Sequence, residues 1–287
     1  MSDDGRHGLS VIAFVGSVFS PYYARARRKR SADPENHVAI NVALYGPGGH
    51  RWAMTERGRS ALARDPINLR IGPSRIGWQD GAFVVEIDEI AVPIPRRIRG
   101  RLIVQPKVIN EKSFDIDGAG RHVWQPIAPG ARVTVEFEKP KLQWQGAAYV
   151  DCNHGSEPLE AAFRSWSWMR TIEPERTRIF YDRIDMEGAV HTLGLDFTSA
   201  GSVEIAGPQS VALQRSFWGI DRIVRSQSQA SARVVSAWED GPFYARTFVG
   251  LQLDGEACTA VHETVSLTRF RLPIVQAMLP FRMPRRG

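Results

Sequence analysis

The chain has 287 residues, 43% apolar and 24% charged, with a net charge of +6 at neutral pH; it can form one large domain or two ordinary ones, and wholesale disorder is excluded. Two cysteines, Cys152 and Cys258, exclude a disulfide framework and a cysteine zinc site and fit a reducing compartment. The basic excess favours anionic partners such as nucleic acid or a lipid surface, and says nothing about fold.

The first apolar run, Val11 to Phe19, is broken by Gly16 and Ser17 and is about half the roughly 18 residues a membrane span needs. Asp3 and Asp4 spoil a basic n-region, and Pro21-Tyr22-Tyr23 is a poor cleavage site, so the run reads as a buried strand rather than a signal peptide. A basic cluster follows at Arg25, Arg27, Arg28, Lys29 and Arg30. It reads as a solvated loop or short helix, or as a contact with anionic lipid headgroups at on the order of 1 kcal/mol per residue.

After the turn-rich Asp33 to His37, the run Val38 to Tyr45 suits a buried strand, Gly46-Pro47-Gly48-Gly49 a turn, and Arg51 to Thr55 the return strand of a hairpin. No Gly-Lys-Ser/Thr follows the glycines, which excludes a phosphate loop. Residues 56 to 77 show little apolar period and predict a connection with a short helical piece. Strands then flank the Asp80-Gly81 turn, and Glu86 and Asp88 alternate with Val85 and Ile87 as a solvated face. Ile98 to Val104, His122 to Trp124, Arg132 to Phe137 and Lys141 to Asp151 are further strand candidates, with prolines and glycines between them.

Around Glu157 to Thr171 the texture changes: Leu159 to Phe163 is a possible short helix, and Trp166 and Trp168 read as aromatic filling of a core or a domain seam. Strands resume at Thr177 to Tyr181, Ala189 to Phe197, Ser210 to Arg215, Ser231 to Trp238 and Ala245 to Leu253. The tail, Leu272 to Met283, is apolar with Arg282, Arg285 and Arg286 at its end, fit to pack on the protein or to touch a membrane. The expected fold is all-β with few short helices, in two barrel or sandwich domains, residues 1–155 and 156–287.

The chemistry concentrates at Tyr149-Val-Asp-Cys-Asn-His-Gly155 and His122-Val-Trp124. Alternation along a strand puts Tyr149, Asp151 and Asn153 on one face, and His122 and Trp124 on one face of theirs. Beside Tyr149, Trp144 and Val150, the Asp151 carboxyl would be desolvated, its pKa raised, and able to donate a proton near neutrality; an ordinary hydrogen-bonded acid at a strand end stays open as the alternative. The seven histidines show no metal spacing, and Cys152 with His154 has no further ligands nearby, so no metal is expected. No Gly-x-Ser-x-Gly nucleophile elbow occurs.

Several long stretches occur together and in order: Phe14-Val-Gly-Ser-Val-Phe-Ser-Pro-Tyr-Tyr23, Asp33-Pro-Glu-Asn-His37, Asn41-Val-Ala-Leu-Tyr-Gly46, Arg51-Trp-Ala-Met-Thr-Glu-Arg-Gly58, His122-Val-Trp124 and Tyr149 to Gly155. With them the chain closely resembles the bacterial carotenoid 1,2-hydratases, or hydroxyneurosporene synthases. The resemblance implies a pair of lipocalin-like (calycin-type) β domains. It implies cofactor-independent addition of water across the terminal C1=C2 bond of an acyclic carotene such as neurosporene or lycopene. It also implies that a His-x-Trp pair, here His122 and Trp124, and a Tyr-x-Asp pair, here Tyr149 and Asp151, carry activity. The roles expected are Asp151 as acid, Trp124 and Tyr149 as faces for the cation, and His122 to orient the water or accept its proton.

A lipocalin-like carrier of carotenoid or other isoprenoid is the alternative, and nucleic acid is not expected because no reader motif accompanies the basic clusters. The partners expected are the carotene and anionic membrane lipid, at the cytoplasmic side of the inner photosynthetic membrane.

Overall fold

A computed structural model of the protein describes residues 1–29 and 32–286. Strands β1 (Gly8–Val15), β2 (Val38–Tyr45) and β3 (Arg51–Met54) make an antiparallel three-stranded sheet. All eight residues of β2 are buried, as its unbroken apolar run requires of a strand covered on both faces. Its one polar residue, Asn41, donates to the Ala53 carbonyl at 3.0 Å. β1 ends at Gly16, whose φ of 74° suits a residue without Cβ, and it is half-buried rather than buried. The basic cluster forms helix α1 (Pro21–Lys29), with Arg27, Arg28 and Lys29 in its last turn, where positive charge complements the helix end. Arg30 lies outside the described residues.

Strands β4 (Leu62–Arg64), β5 (Asn68–Ile71), β6 (Ser74–Gln79), β7 (Ala82–Ile90) and β8 (Arg97–Pro106) follow as a meander. Asp80 and Gly81 have φ of 51° and 76°, the left-handed pair that a two-residue hairpin turn needs. Residues 56–77 hold the expected short helical piece, a 3-10 turn at Arg59–Ala61, but differ from the expected connection in that β4, β5 and the start of β6 occupy the rest. Such short, arginine-rich strands show no alternation, and pairing plus an ionic cluster hold them. At its centre the buried Glu89 accepts from Arg57 Nη2 at 2.6 Å and from Ser74 Oγ at 2.9 Å.

Strands β9 (Phe114–Asp115), β10 (His122–Lys139) and β11 (Leu142–Gly155) come next, and β10 pairs β8 and β9. The expected strands at His122 and Arg132 are thus one strand of 18 residues, running through Pro126 and Pro129. Proline has no N–H to give a ladder, but here the carbonyls of Ile127 and Gly130 accept from the amides of Asn110 (2.8 Å) and Lys107 (2.9 Å). Where a strand is used through its carbonyls, proline costs little.

The rest of the chain adds α2 (Leu159–Ala162), β12 (Phe163–Thr171), β13 (Thr177–Asp185), β14 (Val190–Thr198), β15 (Gly201–Glu204), β16 (Ser210–Leu213) and β17 (Arg222–Arg225). It ends with β18 (Arg233–Asp240), β19 (Tyr244–Leu253), β20 (Glu256–Ser266), α3 (Leu267–Phe270) and α4 (Pro273–Arg282). Here a seven-stranded sheet runs β15-β14-β13-β12-β20-β19-β18, and β16 and β17 form a separate ribbon. One face of this sheet carries Met169, Phe180, Val249, Leu251 and Ala260, which pack with Val211 and Val224 of the ribbon. Period-two alternation sends Trp166, Trp168 and Arg170 to the other face. The pairings Trp168↔Tyr181 and Trp168↔Glu263 bring Tyr181 and Glu263 there too.

The fold is therefore mostly β in open antiparallel sheets, and among the described residues no sheet closes into a barrel. Two compact units emerge. One takes residues up to Pro106, Ala131–Ala148 and the chain from Gln276 on; the other takes Lys107–Gly130 and Tyr149–Val275. Because β10 and β11 each supply both, the units interleave along the chain, whereas the sequence reading divides it once, between 155 and 156.

Candidate active site

All the site residues expected from the sequence belong to the second unit. Tyr149, Asp151 and Asn153 alternate along β11, and β10 brings Trp124 to them. Asp151 Oδ2 accepts from Trp124 Nε1 at 3.0 Å, from Tyr149 Oη at 3.2 Å and from Asn153 Nδ2 at 3.4 Å. All three donors are neutral and all three converge on one oxygen. Among the described residues nothing donates to Oδ1, and no cation forms an ion pair with the carboxyl.

Aromatic rings surround this acid. Trp124, fully buried, lies 5.4 Å from Tyr181 and 5.8 Å from Phe114, ring centre to ring centre. Tyr149 packs on Trp168 at 5.1 Å, and Trp166 stands 6.4 Å from Tyr181. Asp151 itself is exposed, so a ligand can reach it, and the protein packed beside it leaves its carboxyl less well solvated than in free solution.

That desolvation raises the Asp151 carboxyl from 3.8 to about 6. The Trp124 hydrogen bond opposes the rise, the negative charge of Glu263 adds to it, and the Tyr149 and Asn153 bonds oppose it again. Burial first, and then the charge of Asp151, push the Tyr149 phenol well above its ordinary value, and burial pushes Tyr181 up as well. Both phenols stay neutral donors. Arg170, buried with its guanidinium 5.4 Å from the Tyr149 ring, is lowered by burial to about 10 and remains a cation at neutral pH.

His122 is placed differently from the other three. It is buried, its ring packs on Phe163 at 5.2 Å, and its Nε2 faces Glu157 Oε1 at 3.5 Å, long for a hydrogen bond. Gly155 passes so close that a Cβ there would meet His122 Nδ1 at 2.7 Å. No contact joins His122 to Asp151 among the described residues. Three of the four expected residues meet, and His122 braces the start of the strand that carries Trp124.

Sequence reasoning set Asn153 on the right face without giving it a part, and took Trp168 for core or seam filling. It passed over Tyr181, Arg170 and Glu263. Glu263 bears on Asp151 through its charge and is held by Arg246, whose Nε donates to Glu263 Oε1 at 2.8 Å. Only strand register brings Glu263 beside Trp168, and register across β12 and β20 leaves no local signal in a sequence.

A profile of the family described as carotenoid hydratase CrtC matches residues 11–287. The chain belongs to the carotenoid hydratase family. Within that family the acyclic carotenoid 1,2-hydratase of Thiocapsa roseopersicina is 51% identical, over the whole of this chain and 71% of its own length. The enzyme of the same name from Rubrivivax gelatinosus is 47% identical, over the whole of this chain and 72% of its own. That of Cereibacter sphaeroides is 38% identical over 96% of this chain and 98% of its own. Among solved structures, an AttH-type protein from Nitrosomonas europaea superposes with a TM-score of 0.60, covering 93% of this chain and 89% of that one. At 12% identity it speaks to the fold alone, the lipocalin-like architecture that this carotenoid hydratase family chain adopts.

Proposed function

We propose that the protein adds water across the terminal C1=C2 bond of acyclic carotenes such as neurosporene or lycopene, giving 1-hydroxy carotenoids, with Asp151 as the proton donor. The observation that carries this reading is the convergence of Trp124, Tyr149 and Asn153 on Asp151 Oδ2 in surroundings that raise the carboxyl to about 6. A carboxylic acid keeps its proton on one oxygen. With three donors aimed at Oδ2, that proton belongs on Oδ1, the oxygen left for the substrate.

An isolated trisubstituted alkene is a poor base, so the acid must be neutral and aimed at C2, which leaves the positive charge on tertiary C1. A carboxyl with a pKa of about 6 is protonated in roughly one molecule in ten at pH 7. A hydrocarbon laid against Asp151 removes further water and moves the balance toward the acid. As the proton leaves Oδ1, the three bonds to Oδ2 gain strength, because their acceptor is becoming charged.

The C1 cation then meets the faces of Trp124, Tyr149 and Trp168, each contributing about 2 kcal/mol or more when dry. None of them is a nucleophile that would trap it. Water adds to C1, and Glu263, held in place by its bond from Arg246 Nε, takes the proton that the water releases. Proton exchange through solvent returns one proton from Glu263 to Asp151, so the sum is alkene plus water to tertiary alcohol. His122, expected to serve the water, enters this scheme as a positioning residue for Trp124. Hydration leaves the overall oxidation level unchanged, so the scheme calls for no redox cofactor.

A substrate of this kind resides in lipid. We therefore place the protein peripherally at the cytoplasmic face of the inner photosynthetic membrane, with anionic lipid as its partner; among the described residues no helix is long and apolar enough to cross a bilayer. The test is incubation with an acyclic carotene in water labelled with heavy oxygen. The expected product is heavier than the carotene by one labelled water, and unchanged pigment bound to folded protein would leave a carrier instead.

A further inference from the structure

Away from the acid, the second unit holds two aromatic rings in solvent. Phe217 is 92% exposed and Trp218 42%, their rings edge to face at 6.2 Å. The loop that carries them is fixed. Ser216 N donates to Ile220 O at 3.0 Å and Gly219 N to Ser216 O at 2.9 Å. The Asp240 carboxylate accepts from the amides of Phe217 (2.6 Å) and Trp218 (3.4 Å), and Arg269 Nη2 donates to Gly219 O at 3.2 Å. Arg269 belongs to α3, which is anchored by buried Leu267 and Phe270, the latter packed on Phe243 at 5.1 Å. Just past α3, Leu272 and Ile274 are exposed as well.

A braced backbone holding a bare phenyl ring in water is the arrangement of a contact surface, since nothing local keeps the ring from folding inward except the loop itself. The charges around it identify the partner. Arg215 pairs with Asp221 and Arg222 with Asp240, while Arg269 and Arg271 have no carboxylate partner among the described residues. Exposed Phe and Trp beside the exposed Arg271, with Arg269 adding positive charge behind the loop, match the interface of an anionic bilayer, rings at the headgroup level and guanidinium on phosphate. A self-contact through the same patch would set these arginines against their own copies.

The loop closes the ribbon that covers the Met169 face, opposite the acid's side of the sheet, but along the strands it lies near the acid's rung. The Ser165↔Ser266 pair ends β20 where α3 begins, and Trp168↔Glu263 lies three residues further along, on the order of 10 Å at the rise of a strand. We propose that the Phe217–Trp218 loop, with Leu272 and Ile274, is the tip by which the protein docks on an anionic membrane. This rests on the proposed reaction only for the reason to dock, a substrate dissolved in the bilayer.

The test is cosedimentation of the full chain with vesicles of phosphatidylcholine, with and without about a third phosphatidylglycerol. Wild type is expected in the pellet with the anionic vesicles, and Phe217→Ser/Trp218→Ser, shown folded by its melting curve, to lose about ten-fold or more of that partition. Arg271→Glu is expected to weaken binding only to the anionic vesicles. If the double variant does not fold, Ile274→Ser, expected to weaken partition in the same direction, carries the test. Wild-type protein that stays in the supernatant overturns the proposal, as does a folded variant that pellets like wild type. So does a variant that changes the protein's oligomeric state instead, which would make the loop a contact between copies. Hydration of detergent-dispersed carotene is read separately: the double variant keeps it and loses only conversion of vesicle-embedded carotene. A lack of conversion by every form, wild type included, counts against the reaction and leaves the docking result standing.

Discussion

At the scale of the residue, one aspartate is made an acid by its surroundings. Asp151 has lost water without gaining a cation, so its carboxyl is raised to about 6 even though Trp124, Tyr149 and Asn153 favour its charged form. The active form is the protonated one, so conversion is full below the titration of this carboxyl and falls as pH rises through it. Tyr149→Phe removes a bond that favours the carboxylate, which raises the carboxyl further. The alkaline limb of the pH profile is then expected to move to higher pH, while the maximal rate drops about ten-fold through loss of a bond to the developing anion. A limb that stays in place would detach Tyr149 from the acid. This much was legible in the sequence, because alternation alone puts Tyr149, Asp151 and Asn153 on one side of a strand. His122 was not, because the same rule tells which side of β10 a residue takes and not how far along it lies; it stands roughly 7 Å from Trp124 at the rise of a strand, beside Glu157 instead.

At the scale of the element, β10 and β11 do the positioning, and their close approach depends on Gly155. A methyl group there would lie 2.7 Å from His122 Nδ1 and 3.0 Å from the Arg121 carbonyl. Gly155→Ala is expected to destabilise the protein by about 1–3 kcal/mol, read in the melting temperature, and to lower conversion more than a surface glycine substitution such as Gly118→Ala at equal protein folded. Elements with local chemistry were readable: β2 by its apolar run, and the β6–β7 hairpin by Asp80-Gly81. The length of β10 was hidden because Pro126 and Pro129 read as breaks, although the strand is used there through carbonyls. Strands β4 and β5 were hidden because their arginines blur the alternation. The Trp168↔Glu263 rung joins two strands far apart in the chain, and no spacing encodes it.

At the scale of the whole molecule, the all-β lipocalin-like class was legible from recurrent strands and turns together with the long motifs, while the interleaving of the two compact units follows from register. Stability at acid pH depends on a second buried group. His262 is fully buried, and desolvation chiefly lowers it from 6.5 to about 4, against the hydrogen bond its ring makes to the Ile223 carbonyl. The unfolded chain binds this proton more readily than the folded one, so the stabilisation is complete above pH 6.5 and is lost as pH falls toward 4, by roughly 3 kcal/mol. His262→Gln is expected to flatten the fall in melting temperature between those values. The central claim, that Asp151 delivers the proton, is tested most directly by coexpressing the protein or its Asp151→Asn variant in a host that accumulates neurosporene or lycopene, with pigments read by mass spectrometry. The account predicts a monohydroxy carotene from the intact protein and none above background from the folded Asn variant, and equal conversion by the two would contradict it.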